Sequence, residues 1–479
     1  MDPISPIGPI PLCFPDASRQ PVTSLLFFVS LMATYATHET ASVRFRRHVA
    51  ELLMTKPEEK PLPRLNALQL PAAGSLRSFW YDGLLGSISD SLSLNFVPLF
   101  ALKLGATTGE IGILNATAGF VGTMMLLPGA RLGEWWPNRK SFVVLTFSLA
   151  RLMLLLLALI PFGVPASAAV SLIIVFNLLR VVFGNLGLPA WTSLSAAIVP
   201  ENIRGRYFAS RNGIITIASI IFAPLAGYLI VQGGMFGYEL TLGLAFMAGI
   251  AAVLFYRRIE EPRAAEPPVV RGKRFPLLHR VLQRPYFVRL CIYAIFWNFA
   301  LNLAVPFFNI YLVEETTGNE ASVGYLAAIG SVIGLISQQY WGRVNDRLGA
   351  RKTLLITGAV IPFITFGWLF VRSPWDVVPI NLASGIVWPG FNLATFTLVL
   401  EATPEERRPR YVALLNTLMG IGSAVGATAG GWMIELYGYH SIFWASGLLR
   451  IVGWFLLAFF VKDGVAKAMA HRTRTEPQA

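Results

Sequence analysis

The sequence predicts an all-α membrane protein whose twelve transmembrane helices form two pseudo-symmetric bundles of six. Three observations predict this. Of the 479 residues, 54% are hydrophobic and only 14% charged, with a mean hydropathy of +0.58; soluble domains carry about 25% charged residues, so this chain cannot clothe a water-facing surface. Apolar runs long enough to cross a bilayer core, about 20 residues each, recur along its length. Third, the chain repeats itself. Residues 200–212 return at 404–416, with Pro200/Pro404, Glu201/Glu405, Arg204/Arg408, Arg206/Arg410, Tyr207/Tyr411, Ala209/Ala413 and Asn212/Asn416 identical. Weaker echoes pair Val97-Pro98 with Val305-Pro306 and Arg139-Lys140 with Arg351-Lys352. Two copies of a many-helix unit point to a secondary transporter with its site between the halves.

Taken in order, residues 1–75 form an N-terminal extension. Its start is proline-rich, extended or disordered, and the apolar run Val22–Ala36 is short for a span. That run reads as an extra hydrophobic helix or an interfacial segment; alternatively Met54 is the initiator. Twelve spans follow, at 78–101, 108–128, 141–160, 168–190, 208–231, 236–256, 287–312, 321–340, 353–371, 377–399, 411–434 and 440–461. They divide into an N-terminal bundle (76–256), a loop rich in arginine (257–285), a C-terminal bundle (286–462) and a tail (463–479).

Basic residues set the orientation. With the residues before span 1 placed inside, the segments on that side carry 33 of the 39 Lys and Arg. This bias puts both ends of the twelve-helix body in the cytoplasm and predicts a multi-pass protein of a prokaryotic inner (plasma) membrane. The net charge of +13 then faces anionic lipid heads, and no soluble basic domain is present to bind nucleic acid. Cys13 and Cys291 are too few for a disulfide framework, and the five histidines are scattered, so no metal or cofactor is expected. No phosphate-binding loop appears, which disfavours an ATP-driven pump, and nothing suggests an enzyme.

Ionised side chains inside a span cost about 2.5–3.5 kcal/mol and so mark candidate sites. Asp82 and Asp90 lie in span 1, Arg151 in span 3, Arg180 in span 4 beside Asn177, and Arg450 in span 12. Asp90 and Arg180 fall at similar depth. The second half offers amides and indoles instead: Asn298, Asn302 and Asn309 with Trp297 in span 7, and Asn381, Trp388 and Asn392 in span 10, each set on one helical face. Such groups suit a neutral or amphipathic ligand, and equally suit ordinary interhelical bonding. Gly422, Gly426 and Gly430 in span 11 predict close helix contact.

The loop between spans 8 and 9 carries Gly342, Asp346, Arg347, Gly349, Arg351 and Lys352 in the pattern G-x-x-x-D-R-x-G-x-R-K. With the twofold repeat, this resembles the major facilitator superfamily. The matching loop between spans 2 and 3 keeps Glu134, Arg139 and Lys140 but lacks the Asp-Arg pair. The resemblance implies that Glu134 docks near the start of span 11 and Asp346 near the start of span 5, with Arg206 and Arg410 as second partners, closing a cytoplasmic gate. It also implies that spans 1, 4, 7 and 10 line a central cavity. Arg180-Val181-Val182-Phe183-Gly184 is similar to the family's span-4 pattern R-x-x-Q-G, associated with proton coupling. Asp90 and Arg180 are therefore the candidate coupling pair; the competing reading is a static ion pair, with Arg151 as another partner for Asp90. Pro224 and Gly227 match part of the family's antiporter pattern in span 5.

These readings combine into a monomeric, proton-coupled transporter of a small molecule working by alternating access, with export favoured over import of sugars or other metabolites. A receptor or assembly factor without transport is the reading from a different class.

Overall fold

The computed structural model describes residues 70–200, 203–260, 285–403 and 408–460, all within the unit that begins at Gln69. The described residues are helical apart from short connections, and contain no strand. Eleven helical stretches are long and apolar enough to cross a membrane, and the 30-residue helix Arg408–Tyr437 completes the predicted twelve. Residues 1–69 of the N-terminal extension, the stretches 201–202, 261–284 and 404–407, and the tail from 461 lie outside the described residues.

Local chemistry sets the helix ends. Span 2 (Thr108–Trp135) begins at a capping box, with the Thr107 side chain accepting from the Glu110 N–H and Glu110 accepting from the Thr107 N–H. Span 8 (Glu320–Leu348) begins with the same device built from Asn319 and Ser322. Asn138 caps span 3 (Arg139–Gly163). The one-residue hairpins between spans 5 and 6 and between 11 and 12 turn on Gly234 and Gly438, at φ 56° and 76°, a region that a side chain strongly disfavours.

Spans 1 and 7 differ from the continuous helices predicted. Span 1 is Leu70–Ser93 followed by Val97–Lys103; span 7 is Pro285–Asn302, a short turn at Val305–Phe307, and Phe308–Glu314. The breaks fall at the repeated Val-Pro pair. Pro98 and Pro306 have no N–H to donate back along the helix, so the ladder is interrupted at the same place in both halves.

Packing reproduces the sequence repeat. In the first half span 1 packs on 5 and 6, span 4 on 2 and 3, and span 3 on 6; in the second half span 7 packs on 11 and 12, span 10 on 8 and 9, and span 9 on 12. The halves meet along two seams, span 2 against 11 and span 5 against 8. Here backbones touch. A Cβ on Gly112 would lie 2.7 Å from the Ala427 carbonyl oxygen, and one on Gly227 only 2.3 Å from that of Glu320. Three hydrogen bonds cross the seams: Thr108 Oγ1 to the Gly431 carbonyl (3.3 Å), the Gly109 N–H to Glu435 Oε1 (2.8 Å) and Tyr238 OH to Glu320 Oε1 (2.8 Å). All lie at the cation-poor face, the one bearing loops 104–107 and 315–319. Glycines 422, 426 and 430 seat span 11 on the Ile295, Phe299 and Leu303 carbonyls of span 7, the close contact their spacing predicts.

Candidate functional site

Two polar regions stand out inside the bundle. The first is a charged cluster in the N-terminal half. Arg151 of span 3 reaches span 1, where Nη1 bonds Asp90 Oδ1 at 2.7 Å and Ser89 Oγ at 2.9 Å. Its aliphatic stem crosses span 6 at Gly249, where a Cβ would sit 2.4 Å from Arg151 Cδ; only glycine leaves the arginine a path. Ser89 Oγ in turn donates to the Ala245 carbonyl of span 6 at 2.6 Å. The arginine thus ties three helices together. The Asp90 side chain keeps 45% of its exposure while Arg151 keeps 18%, so the carboxyl is the accessible partner.

Arg180 does not bond to Asp90. Its Nη2 donates to Asn177 Oδ1 at 3.1 Å, one turn earlier on span 4. It is nevertheless near enough to feel the charges of both Asp90 and Arg151. The structure therefore gives Asp90 the alternative partner, Arg151, and leaves Arg180 as a neighbouring cation. Span 3 supplies this contact because Gly249 opens the junction of spans 1, 3 and 6, a relation that spacing within one helix does not reveal.

The second region is a cavity of about 770 Å³ between the halves, bounded by spans 5, 7, 8 and 10. Asn381, Trp388 and Asn392 line it as predicted, joined by Asn309, Gln338 and Asn95. No ionisable side chain lines it. Asn381 Nδ2 donates to the Leu326 carbonyl at 2.9 Å, which leaves its oxygen for a ligand. The remaining predicted amides lie elsewhere. Asn298 Nδ2 donates to the Ala294 carbonyl on its own helix (2.8 Å), and Asn302 Nδ2 to Ser423 Oγ of span 11 (2.9 Å). Asn177 is buried and holds Arg180. Gln338, a cavity residue the sequence reading passed over, is exposed on span 8; its signal was the amide pair Gln338-Gln339 in a largely apolar stretch.

Only part of the predicted cytoplasmic gate falls on described side chains. Glu134 and Asp346 are exposed and neither bonds to a described residue. Arg139 Nη1 donates to Ser193 Oγ at 3.3 Å, Lys140 Nζ to the Ile259 carbonyl at 3.0 Å and Arg351 Nη2 to the Ala458 carbonyl at 2.9 Å, each within its own half. Arg347 and Gly342 stay near the surface, Gly349 turns span 8 into span 9 at φ 80°, and the side chains of Arg206 and Arg410 lie outside the described residues.

Two further buried cations escaped the sequence reading or were underrated by it. Arg211 of span 5 pairs with Asp82 at 3.2 Å, both nearly buried, and lies over the Phe79 ring at 4.4 Å. Arg450, 1% exposed, bonds Thr365 Oγ1 of span 9 and the Leu301 carbonyl of span 7. It fills the 7–9–12 junction from span 12, as Arg151 fills the 1–3–6 junction from span 3.

The sequence model described as Major Facilitator Superfamily matches residues 83–399 and again 290–478. The chain belongs to this superfamily. It is a family of transporters rather than enzymes, and the chain is a multi-pass membrane protein of the superfamily fold. Among curated relatives, the multidrug resistance protein MdtG of Salmonella arizonae is 24% identical over 378 residues, covering 76% of this chain and 89% of the relative. MdtG of Citrobacter koseri is equally similar. Solved superfamily structures share the fold at low identity. The nucleoside transporter NupG aligns with a TM-score of 0.64 at 12% identity, covering 80% of this chain and 100% of that one. A bacterial homologue of the iron transporter ferroportin, in an inward-facing state, aligns at 0.63 and 18% identity, covering 81% and 98%. A D-xylose–proton symporter aligns at 0.62 and 14%, covering 82% and 98%.

Proposed function

We propose that the protein exports an uncharged or amphipathic small molecule across an inner membrane by alternating access, in exchange for protons. The observation that carries this reading is a division of labour: the cavity between the halves is lined by amides, hydroxyls, two indoles and apolar groups, while the ionisable cluster is set apart in the N-terminal half. A hydrogen-bonding, aromatic-walled cavity of this size suits a drug-sized ligand. The relatives named for multidrug resistance support the outward direction. With the cation-rich ends in the cytoplasm, the seams lie at the outer face, and the exposed Glu134 and Asp346, unbonded to any described residue, support a cavity that faces inward.

Asp90 is the proton carrier in this reading, with Arg151 as its counter-ion and Arg180 as a second nearby cation. A proton arriving from outside neutralises the Asp90 carboxylate and breaks its ion pair with Arg151, leaving the Ser89 contact to span 1. Deprotonation toward the cytoplasm restores the pair. The step alters a contact between spans 1 and 3, and span 1 packs on span 5, which walls the cavity. The test is flux of a panel of neutral and cationic fluorescent drugs in inverted vesicles with an imposed pH gradient. Asp90→Asn is expected to lose at least about tenfold of the gradient-driven flux, on the scale of removing a coupled ion-pair contact of about 1.4 kcal/mol or more. Full proton-coupled flux in the variant rejects the assignment.

A further inference from the structure

A groove of about 500 Å³ opens at the cation-rich end of spans 3 and 6, lined by Asn138, Lys140, Ser141, Leu145, Ser148 and Arg257, with Val144 behind them. It is remote in sequence and in the fold from the cavity between the halves. Its lining is graded along span 3: an amide and an ammonium at the helix start, a hydroxyl at 141, then apolar side chains at 144 and 145 with a second hydroxyl at 148. The guanidinium of Arg257, at the end of span 6, faces the same groove. Among the described residues no acidic side chain lines it. Below it, Leu145, Leu152 and Leu159 recur every seven residues on one face of span 3 and remain 44%, 38% and 49% exposed, as Leu254 and Met247 do on span 6 at 52% and 66%.

We infer that this groove holds the headgroup of an anionic phospholipid from the leaflet at that end, with the acyl chains lying along the exposed leucine face. The occupant follows from complementarity. Two cations with adjoining hydroxyl and amide donors match a phosphodiester and a polar headgroup, and basic pockets between helices at a membrane face favour such lipids. The apolar strip that continues from the groove extends in the direction a lipid tail must take.

The internal repeat supplies a comparison within the molecule. Span 6 and span 12 start at matching Gly-Tyr pairs, 237–238 and 438–439, and at that offset Arg257 corresponds to Ala458. Each half ties a helix start to the neighbouring helix end, through non-equivalent cations: Lys140 Nζ to the Ile259 carbonyl at 3.0 Å, and Arg351 Nη2 to the Ala458 carbonyl at 2.9 Å. Neither tie uses Arg257, and the second half carries an alanine at that place, so packing of the helix end does not require its charge.

The inference stands apart from the transport reading and its test reads binding alone. The full-length protein in neutral detergent is titrated with phosphatidylglycerol, with phosphatidylcholine and with inorganic phosphate, and thermal unfolding is recorded. Phosphatidylglycerol is expected to raise Tm more than phosphatidylcholine, and phosphate to leave it unchanged. Arg257→Ala, which installs the residue of the second half, is expected to lose most of the phosphatidylglycerol-specific rise while unfolding like the parent without lipid. Arg258→Ala removes an equal charge from a side chain that stacks on Phe255 instead and is expected to keep the rise. An equal loss in both variants, no loss in Arg257→Ala, or a matching effect of free phosphate overturns the inference.

Discussion

Asp82 and Arg211 form a buried pair that the second half of the repeat does without. At the offset that pairs Val97-Pro98 with Val305-Pro306, Phe79 corresponds to Phe287 and Asp82 to Leu290; at the offset of the long repeat, Tyr207 corresponds to Tyr411 and Arg211 to Leu415. The aromatic pairs persist, with ring centroids 6.0 Å apart for Phe79 and Tyr207 and 4.8 Å for Phe287 and Tyr411. The ion pair becomes two buried leucines, Leu415 in the cluster of Phe287 and Tyr411 and Leu290 in the cluster of Tyr293 and Trp297. Removing one partner of a buried pair costs about 3–5 kcal/mol, because the other charge is stranded, whereas replacing both with apolar groups is often neutral. Asp82→Leu alone and Arg211→Leu alone are therefore expected to lower stability by about that amount in detergent unfolding. The double variant is expected to recover most of the loss. A double variant as unstable as the sum of the singles refutes the equivalence. Arg211 was hard to find from sequence because it sits within the basic repeat segment, where one more arginine reads as a loop cation. The useful signal was its mismatch with Leu415.

At the scale of helices, the seams decide which face is shut. Gly112 against Ala427, and Gly227 against Glu320, put backbone on backbone, and neither carbonyl can yield without moving its helix. Gly112→Ala is expected to force spans 2 and 11 apart at the cation-poor face. Nitroxide labels at positions 103 and 437, in a protein lacking Cys13 and Cys291, then show a longer distance than in the parent, and transport falls. An unchanged distance distribution contradicts the role given to the seam. Much of this level was legible beforehand. Apolar length gave the spans, and GxxxG spacing gave a close contact of span 11, though not its partner, span 7. The breaks in spans 1 and 7 were also visible as a repeated Val-Pro pair, but hydropathy averages across them and hides them. The candidate site was less legible. Amides on one helical face looked alike, yet Asn381 and Asn392 reach the cavity while Asn298 and Asn302 bond to neighbouring backbone and to Ser423. Partner choice depends on which helices adjoin, as Gly249 shows by routing Arg151, rather than Arg180, to Asp90.

For the molecule as a whole, the main helix packings inside one half have counterparts in the other, and the two halves meet chiefly along two equivalent seams, span 2 against 11 and span 5 against 8. Such a body can rock about its centre while each bundle stays intact, so that closing one face opens the other. The charged cluster lies wholly in one bundle, and the uncharged cavity leans on the other; proton and ligand thus act on different halves of one hinge. Alternating exposure of the cavity is the claim on which the transport reading depends. The most direct measurement places a single cysteine at Ser384, in the cavity wall, in a protein lacking Cys13 and Cys291, and follows its reaction with a membrane-impermeant maleimide in cells and in inverted vesicles. Reaction is predicted from the cytoplasmic face at rest and from the outer face when a pH gradient, acid outside, is imposed, with reaction at the first face falling as the second rises. Reaction from both faces at once, or from the same face under every gradient, contradicts it.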